Sequence, residues 1–154
     1  MNDKVIVSSQ GWSKTEQETL ARIAQLVIGT DPEGEMPSVD DELILPKILE
    51  RALDFERPVK NGLAVLDEQL KSKANESAFD LSDETLASLM ETRSELRSLL
   101  RAMMQVVAQC YYQDERVLTA LGLEARPPFP LGHLVEQGDW ELLESVRERG
   151  PMFR

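Results

Sequence analysis

Few side chains in this sequence are suited to chemistry. The single histidine, His133, and the single cysteine, Cys110, are its only imidazole and thiol. Near them lie adjacent tyrosines, Tyr111 and Tyr112, and the charged residues Asp114 and Arg116. All fall within "CYYQDERVLTALGLEARPPFPLGHL", residues 110–134. General acid–base catalysis favours a group that titrates near neutral pH, which points to His133. No obvious nucleophile stands near it in the sequence. A zinc site would pair it with a second histidine, a cysteine pair or an HExxH helix, and the sequence has none of these. Phosphate-cradling GxxxxGK[ST], dinucleotide GxGxxG and nucleophile-elbow GxSxG patterns are also absent.

Acids offer another route to a metal. Six acids and no base lie between Asp31 and Glu42. Asp31, Glu33 and Glu35 start with the alternation of a calcium loop, but Pro37 and the missing glycine position break it. The segment reads better as a solvated acidic loop. Cys110 ends an apolar stripe and is expected to be a buried structural thiol. His133 is expected to bond a carbonyl or to pack at an interface. Adjacent residues cannot share a helical face, so one tyrosine should point inward and the other outward. An outward tyrosine suits a partner surface, where this side chain is favoured.

The elements that must position these groups read as helices. Ser13-Lys14-Thr15-Glu16 is a capping box, followed by Leu20, Ile23, Ala24 and Val27 on one face and Gly29 as a stop. Ser38 and Asp41 are expected to cap a second helix bearing Leu45, Ile48, Leu49, Ala52 and Phe55. Pro46 falls in its first turns, and Pro58 is expected to end it. A third helix carries Leu63, Leu66 and Leu70, and Ser82 opens a fourth with Leu86, Leu89 and Met90. A break near Thr92–Ser94 precedes the clearest helix, over 94–112. Leu96, Leu99, Leu100, Met103, Val107 and Cys110 stripe that helix, and Arg93, Arg97 and Arg101 run beside them four apart. A short helix capped by Asp114 follows and stops at Gly122. Arg116 is expected to pair with an acid.

The fold expected is all-α, an irregular bundle of five or six helices over 1–123 with an extended, proline-rich C-terminal arm over 124–154. The arm belongs to the same unit and ends in a short helix around Trp140, Leu142, Leu143 and Val146. It also holds Phe129, Leu131, Leu134, Met152 and Phe153, much apolar surface for a segment with no core of its own. Such content disfavours disorder, and prolines lower the entropy cost of ordering, so the arm should lie on the bundle or on another protein.

Bulk properties narrow the partners. At 154 residues the chain suits one domain. Seventeen Lys and Arg against 28 Asp and Glu leave a net charge of −11, which opposes binding to nucleic acid or to anionic lipid. One cysteine precludes an internal disulfide. No run approaches the ~18 apolar residues of a membrane span, and Val5–Val7 is too short for a signal region, so a cytoplasmic location is expected.

The chain from about residue 14 to 154 resembles the small third subunit of gluconate 2-dehydrogenase and its relatives. Three segments carry the likeness. "IGTDPEGEMPSVDDELILPKILERAL" looks like that family's acidic, proline-bearing loop and following helix. "NGLAVLDEQLKSKANESAFDLSDETLASLM" is similar to its second block through Gly62, Leu63, Leu66, Asp67, Phe79, Leu81 and Ser82. The Tyr-Tyr-x-Asp-x-Arg-Val turn at 111–117, with its Leu-Gly stop and proline arm, is the third. The resemblance implies a non-catalytic accessory subunit with no cofactor of its own. Its partner would be an FAD-dependent dehydrogenase large subunit of the glucose–methanol–choline type, oxidising an alcohol or a sugar. The twin-arginine signal of such subunits has no counterpart here. Tyr111, Tyr112, Arg116, Pro127, Pro128, Phe129, Leu131, His133, Trp140 and Phe153 are the expected contacts, with Asp114 and Arg116 also structural. Two other readings stand beside this one: a free-standing helical adaptor or regulator, and a metal-binding enzyme using His133 and the acidic loop.

Overall fold

A computed structural model describes residues 11–29, 31, 34–72, 77–125, 138 and 140–149, without the side chains of 140, 142 and 146. The elements are α1 (Lys14–Ile28), α2 (Leu45–Ala52), α3 (Glu56–Ser72), α4 (Asp83–Met90), α5 (Ser94–Tyr111), α6 (Glu115–Ala120) and α7 (Glu144–Arg147). Short 3-10 turns precede α3, at Leu53–Phe55, and α7, at Trp140–Leu143. Among the described residues there is no β-strand. The fold is all-α.

Local chemistry accounts for most of the boundaries. The Ser13 hydroxyl accepts from the Glu16 amide, and the Glu16 carboxylate accepts from the Ser13 amide at 2.7 Å, so the capping box forms in both directions. Ser82 accepts from the Thr85 amide and opens α4. At the end of α6, Gly122 sits at φ +73°. Its amide bonds the Thr119 carbonyl, and the Leu123 amide bonds that of Leu118. This 5→2 and 6→1 pair is a Schellman stop, and it needs a residue that tolerates positive φ.

Two expected boundaries differ from the structure. Pro58 does not end a helix. It is the third residue of α3, within the first turn, where amides have no intrahelical acceptor. Ala52, Leu53 and Glu56 all keep right-handed helical angles, so the chain from α2 into α3 scarcely leaves the helical path. Ser38 and Asp41 do not cap α2 directly. Asp41 forms a turn of its own: its side chain accepts from Leu43 and its carbonyl from Ile44 and Leu45, and α2 begins only at Leu45, with Pro46 in its first turn.

The longest helix, α5, is the hub. Helices α1, α2, α3 and α4 all pack on it, α3 most extensively. Leu96, Leu99, Ala102, Met103, Val106, Val107 and Tyr111 are buried along it, each large side chain contributing roughly 1.5–3 kcal/mol on leaving water. Gly62 permits the close approach of α3. A Cβ there would overlap the Leu99 Cβ and come within 3.0 Å of the Glu95 carbonyl oxygen. Two long-range ties finish the bundle. Trp12, ahead of α1, is buried and donates its indole N–H to the Leu49 carbonyl at 2.8 Å. Arg22 of α1 bonds the Leu81 carbonyl at 3.0 Å and the Asp83 carboxylate at 2.6 Å, holding the start of α4.

Candidate docking junction at the end of the central helix

The segment that gathers most of the candidate side chains begins where α5 stops. Tyr112 leaves the helix at φ −78° and ψ 4°, and its amide still reaches the Ala108 carbonyl. The two tyrosines then diverge as their adjacency requires. Tyr111 is 2% exposed and Tyr112 is 48% exposed. Their rings meet edge to face, centroids 5.3 Å apart at 88°, an arrangement worth roughly 0.5–1.5 kcal/mol.

The inward tyrosine finds a distant partner. The Tyr111 hydroxyl donates to the Pro37 carbonyl at 2.8 Å, across 74 residues. Burial, more than its charged neighbours, raises the pKa of this phenol. Asp114 caps α6 by accepting from the Arg116 amide at 3.0 Å. The Arg116 guanidinium turns back onto both Asp114 oxygens, at 2.9 and 3.1 Å. It also reaches across 75 residues to both oxygens of Asp41, at 3.0 and 2.9 Å. One planar fork thus clamps two carboxylates, as guanidinium geometry allows. The Arg116 bonds hold the Asp114 and Asp41 carboxyls below the usual carboxylate range, and the two acids in turn strengthen the arginine's hold on its proton.

Asp41 and Pro37 are the members of this junction that the sequence did not assign to it. Both lie in the acidic segment read as a solvated loop. That segment instead supplies a carbonyl and a carboxylate that pin α5 and α6. Asp31 likewise accepts from the Met36 amide at 2.8 Å, and Glu33 lies outside the described residues. Among the described residues no cluster of three His, Cys, Asp or Glu side chains is arranged to hold a metal, and no buried side-chain N or O lacks a partner. A cleft of about 520 Å³ between α1 and residues 36–39 has Tyr111, Arg22 and Asp83 in its wall, all engaged in the bonds described.

Cys110 is half-buried, not fully buried as expected. Its neighbours across the groove include Lys47, Glu50 and Arg51 of α2, and burial raises the pKa of the thiol. Of the expected contact residues, Tyr111 is interior, whereas Tyr112 and Arg116 are exposed. Trp140 begins the 3-10 turn before α7. Pro127, Pro128, Phe129, Leu131, His133 and Phe153 lie outside the described residues. Leu121 and Leu123, which precede the arm, are exposed. The Schellman stop aims the chain here, so these apolar groups sit on a backbone of defined direction.

Comparison with protein-family models, with curated proteins and with solved structures finds no match to this chain. Among the described residues no helix is long and apolar enough to cross a membrane.

Proposed function

We propose that this chain is a non-catalytic accessory subunit that binds and stabilises the FAD-dependent large subunit of an alcohol or sugar dehydrogenase. One observation carries the reading. The Tyr-Tyr-x-Asp-x-Arg-Val segment, which bears the resemblance to accessory subunits, is spent on a brace. Tyr111, Asp114 and Arg116 tie α5 and α6 to the 37–41 segment. The large hydrophobic side chains left outward beside that brace are Tyr112, Leu121 and Leu123. A rigid support under exposed aromatic and aliphatic groups is what an interface anchor needs, because little ordering cost remains to be met on binding. In this reading FAD belongs to the partner, and the arm extends the contact.

Co-expression with the flavin-dependent dehydrogenase subunit encoded nearest to it tests the proposal. The expected result is a complex that co-elutes on size exclusion, with more soluble, FAD-loaded large subunit than without this chain. A large subunit equally soluble and active alone, with no co-elution, overturns it.

A further inference from the structure

The outward face of α5 departs from the rest of this acidic protein. Residues 96–113 contain no Asp or Glu, although the chain average would place about three in a stretch of that length. The exposed side chains here are Arg97, Ser98, Arg101, Met104, Gln105, Ala108, Gln109, Tyr112 and Gln113. At 3.6 residues per turn, Arg97, Arg101, Met104, Ala108 and Tyr112 fall within roughly 80° of arc and run roughly 22 Å along the helix. Arg97 donates to the Glu91 carbonyl at 2.6 Å and forms no ion pair among the described residues; the carboxylate that feels its charge is Glu95, at the start of the helix. Arg101 forms no ion pair among the described residues. Acids resume only at the ends: Glu95 before the strip, and Asp114 after it, already held by Arg116. Toward α2, Glu50 and Asp54 stand beside Lys47 and Arg51, and Arg51 pairs with Asp54 at 3.1 Å.

We propose that this face is a docking surface for a different protein, one that presents acidic side chains at the rim of an apolar patch. The inference rests on the accessory-subunit reading and says which face such a subunit offers. Composition supports it: exposed Arg, Met and Tyr with no Lys, Asp or Glu is the signature of an interface centre, not of an ordinary solvated surface. Charge argues against a second copy as the occupant. A closed two-fold contact between copies would bury the same acid-free strip against itself and give its arginines no carboxylates. Two chains of net charge −11 also repel. A partner with carboxylates opposite Arg97 and Arg101 satisfies both, and Met104 and Tyr112 fill its apolar centre.

The test places a photo-crosslinking benzoylphenylalanine in the full chain, in its native cells, at position 104 or 108. Controls carry it at exposed Glu84 or Ser88 of α4, and circular dichroism checks that each variant keeps its helix content. Adducts specific to 104 and 108 should map to one other protein, on a segment where Asp or Glu flanks apolar residues. With that protein purified, R97A/R101A should weaken binding at least about tenfold and flatten its salt dependence. Any of four results overturns the proposal: no adducts, adducts equal to the controls, adducts between two copies, or adducts with residues 126–154 of the same chain. A mapped segment without acids, or unchanged affinity in R97A/R101A, also does so. The two proposals fail separately. A flavoprotein that co-elutes but crosslinks only elsewhere sinks this surface alone. A specific acidic partner with no flavin sinks the accessory-subunit reading and leaves the surface standing.

Discussion

Replacing Arg116 by methionine tests whether the junction is a brace. The change keeps an unbranched, helix-tolerant side chain and the backbone amide that Asp114 caps. It removes two bonds to Asp114 and two to Asp41. The Asp114 side chain is only 8% exposed, so its carboxylate stays largely dehydrated with only the Arg116 amide bond remaining. A charge-assisted hydrogen bond contributes ~1.5–3 kcal/mol, and the partner's own exposure argues for the lower part of that range. Asp41 is better solvated and adds about 0.5 kcal/mol. We expect a loss of about 2 kcal/mol at pH 7, read as a fall of about 1 M in the urea midpoint with an unchanged slope. The pH dependence carries a sign. Both carboxyls have lowered folded-state pKa values. Their contribution is therefore present above the unfolded carboxylate pKa of ~3.9 and is lost as pH falls through the folded values. Parent and R116M should then converge in strong acid, as pH falls through the lowered folded-state values of Asp41 and Asp114. In a double-mutant cycle, R116M and D114N should couple by about 1 kcal/mol. A loss under about 0.5 kcal/mol at pH 7, or a difference that survives unchanged into strong acid, would refute the brace.

Three further outcomes follow from the same geometry. Gly62→Ala should destabilise by about 1 kcal/mol in chemical denaturation: overlap with Leu99 costs ~1–3 kcal/mol and outweighs the ~1 kcal/mol that alanine gains in helix propensity. A stabilised G62A would show that α3 and α5 can part cheaply. Tyr111→Phe removes only the hydroxyl that bonds Pro37 and should cost about 1 kcal/mol. Faster amide exchange around residues 37–41 is expected with it, and unchanged exchange would mean that the bond does not hold that segment. The thiol of Cys110 should titrate above the ordinary cysteine value in iodoacetamide rate profiles, because burial disfavours the thiolate. A midpoint below ~8 would contradict its placement against α2.

The sequence made most helices and several of their ends legible where the cause was local, with Pro58 and the Ser38–Asp41 turn as exceptions. Ser13 with Glu16, Ser82, Asp114 and the two stopping glycines, Gly29 and Gly122, all act within four or five residues of where they stand. The inward tyrosine was legible too, had the α5 stripe been carried one position past Cys110: Met103, Val107 and Tyr111 repeat every four residues. Pro58 was ambiguous by nature, since a proline that ends one helix and a proline in the first turn of the next leave the same mark. Trp12 gave no periodic signal, because it precedes α1 and packs on α2 through one indole bond.

Sequence by itself determined an all-α chain, an acidic surface and an uneven supply of chemistry in which His133 and Cys110 have no recognisable partners. Helical period, capping and net charge are properties of neighbours along the chain or of sums over it. Only the tertiary structure decided that Tyr111 serves Pro37, that Arg116 spans Asp114 and Asp41, and that the acid-free side of α5 faces outward. The Tyr111–Pro37 and Arg116–Asp41 pairings join residues more than 70 positions apart. They depend on how α1, α2, α3 and α4 close around α5, and no local pattern encodes that closure.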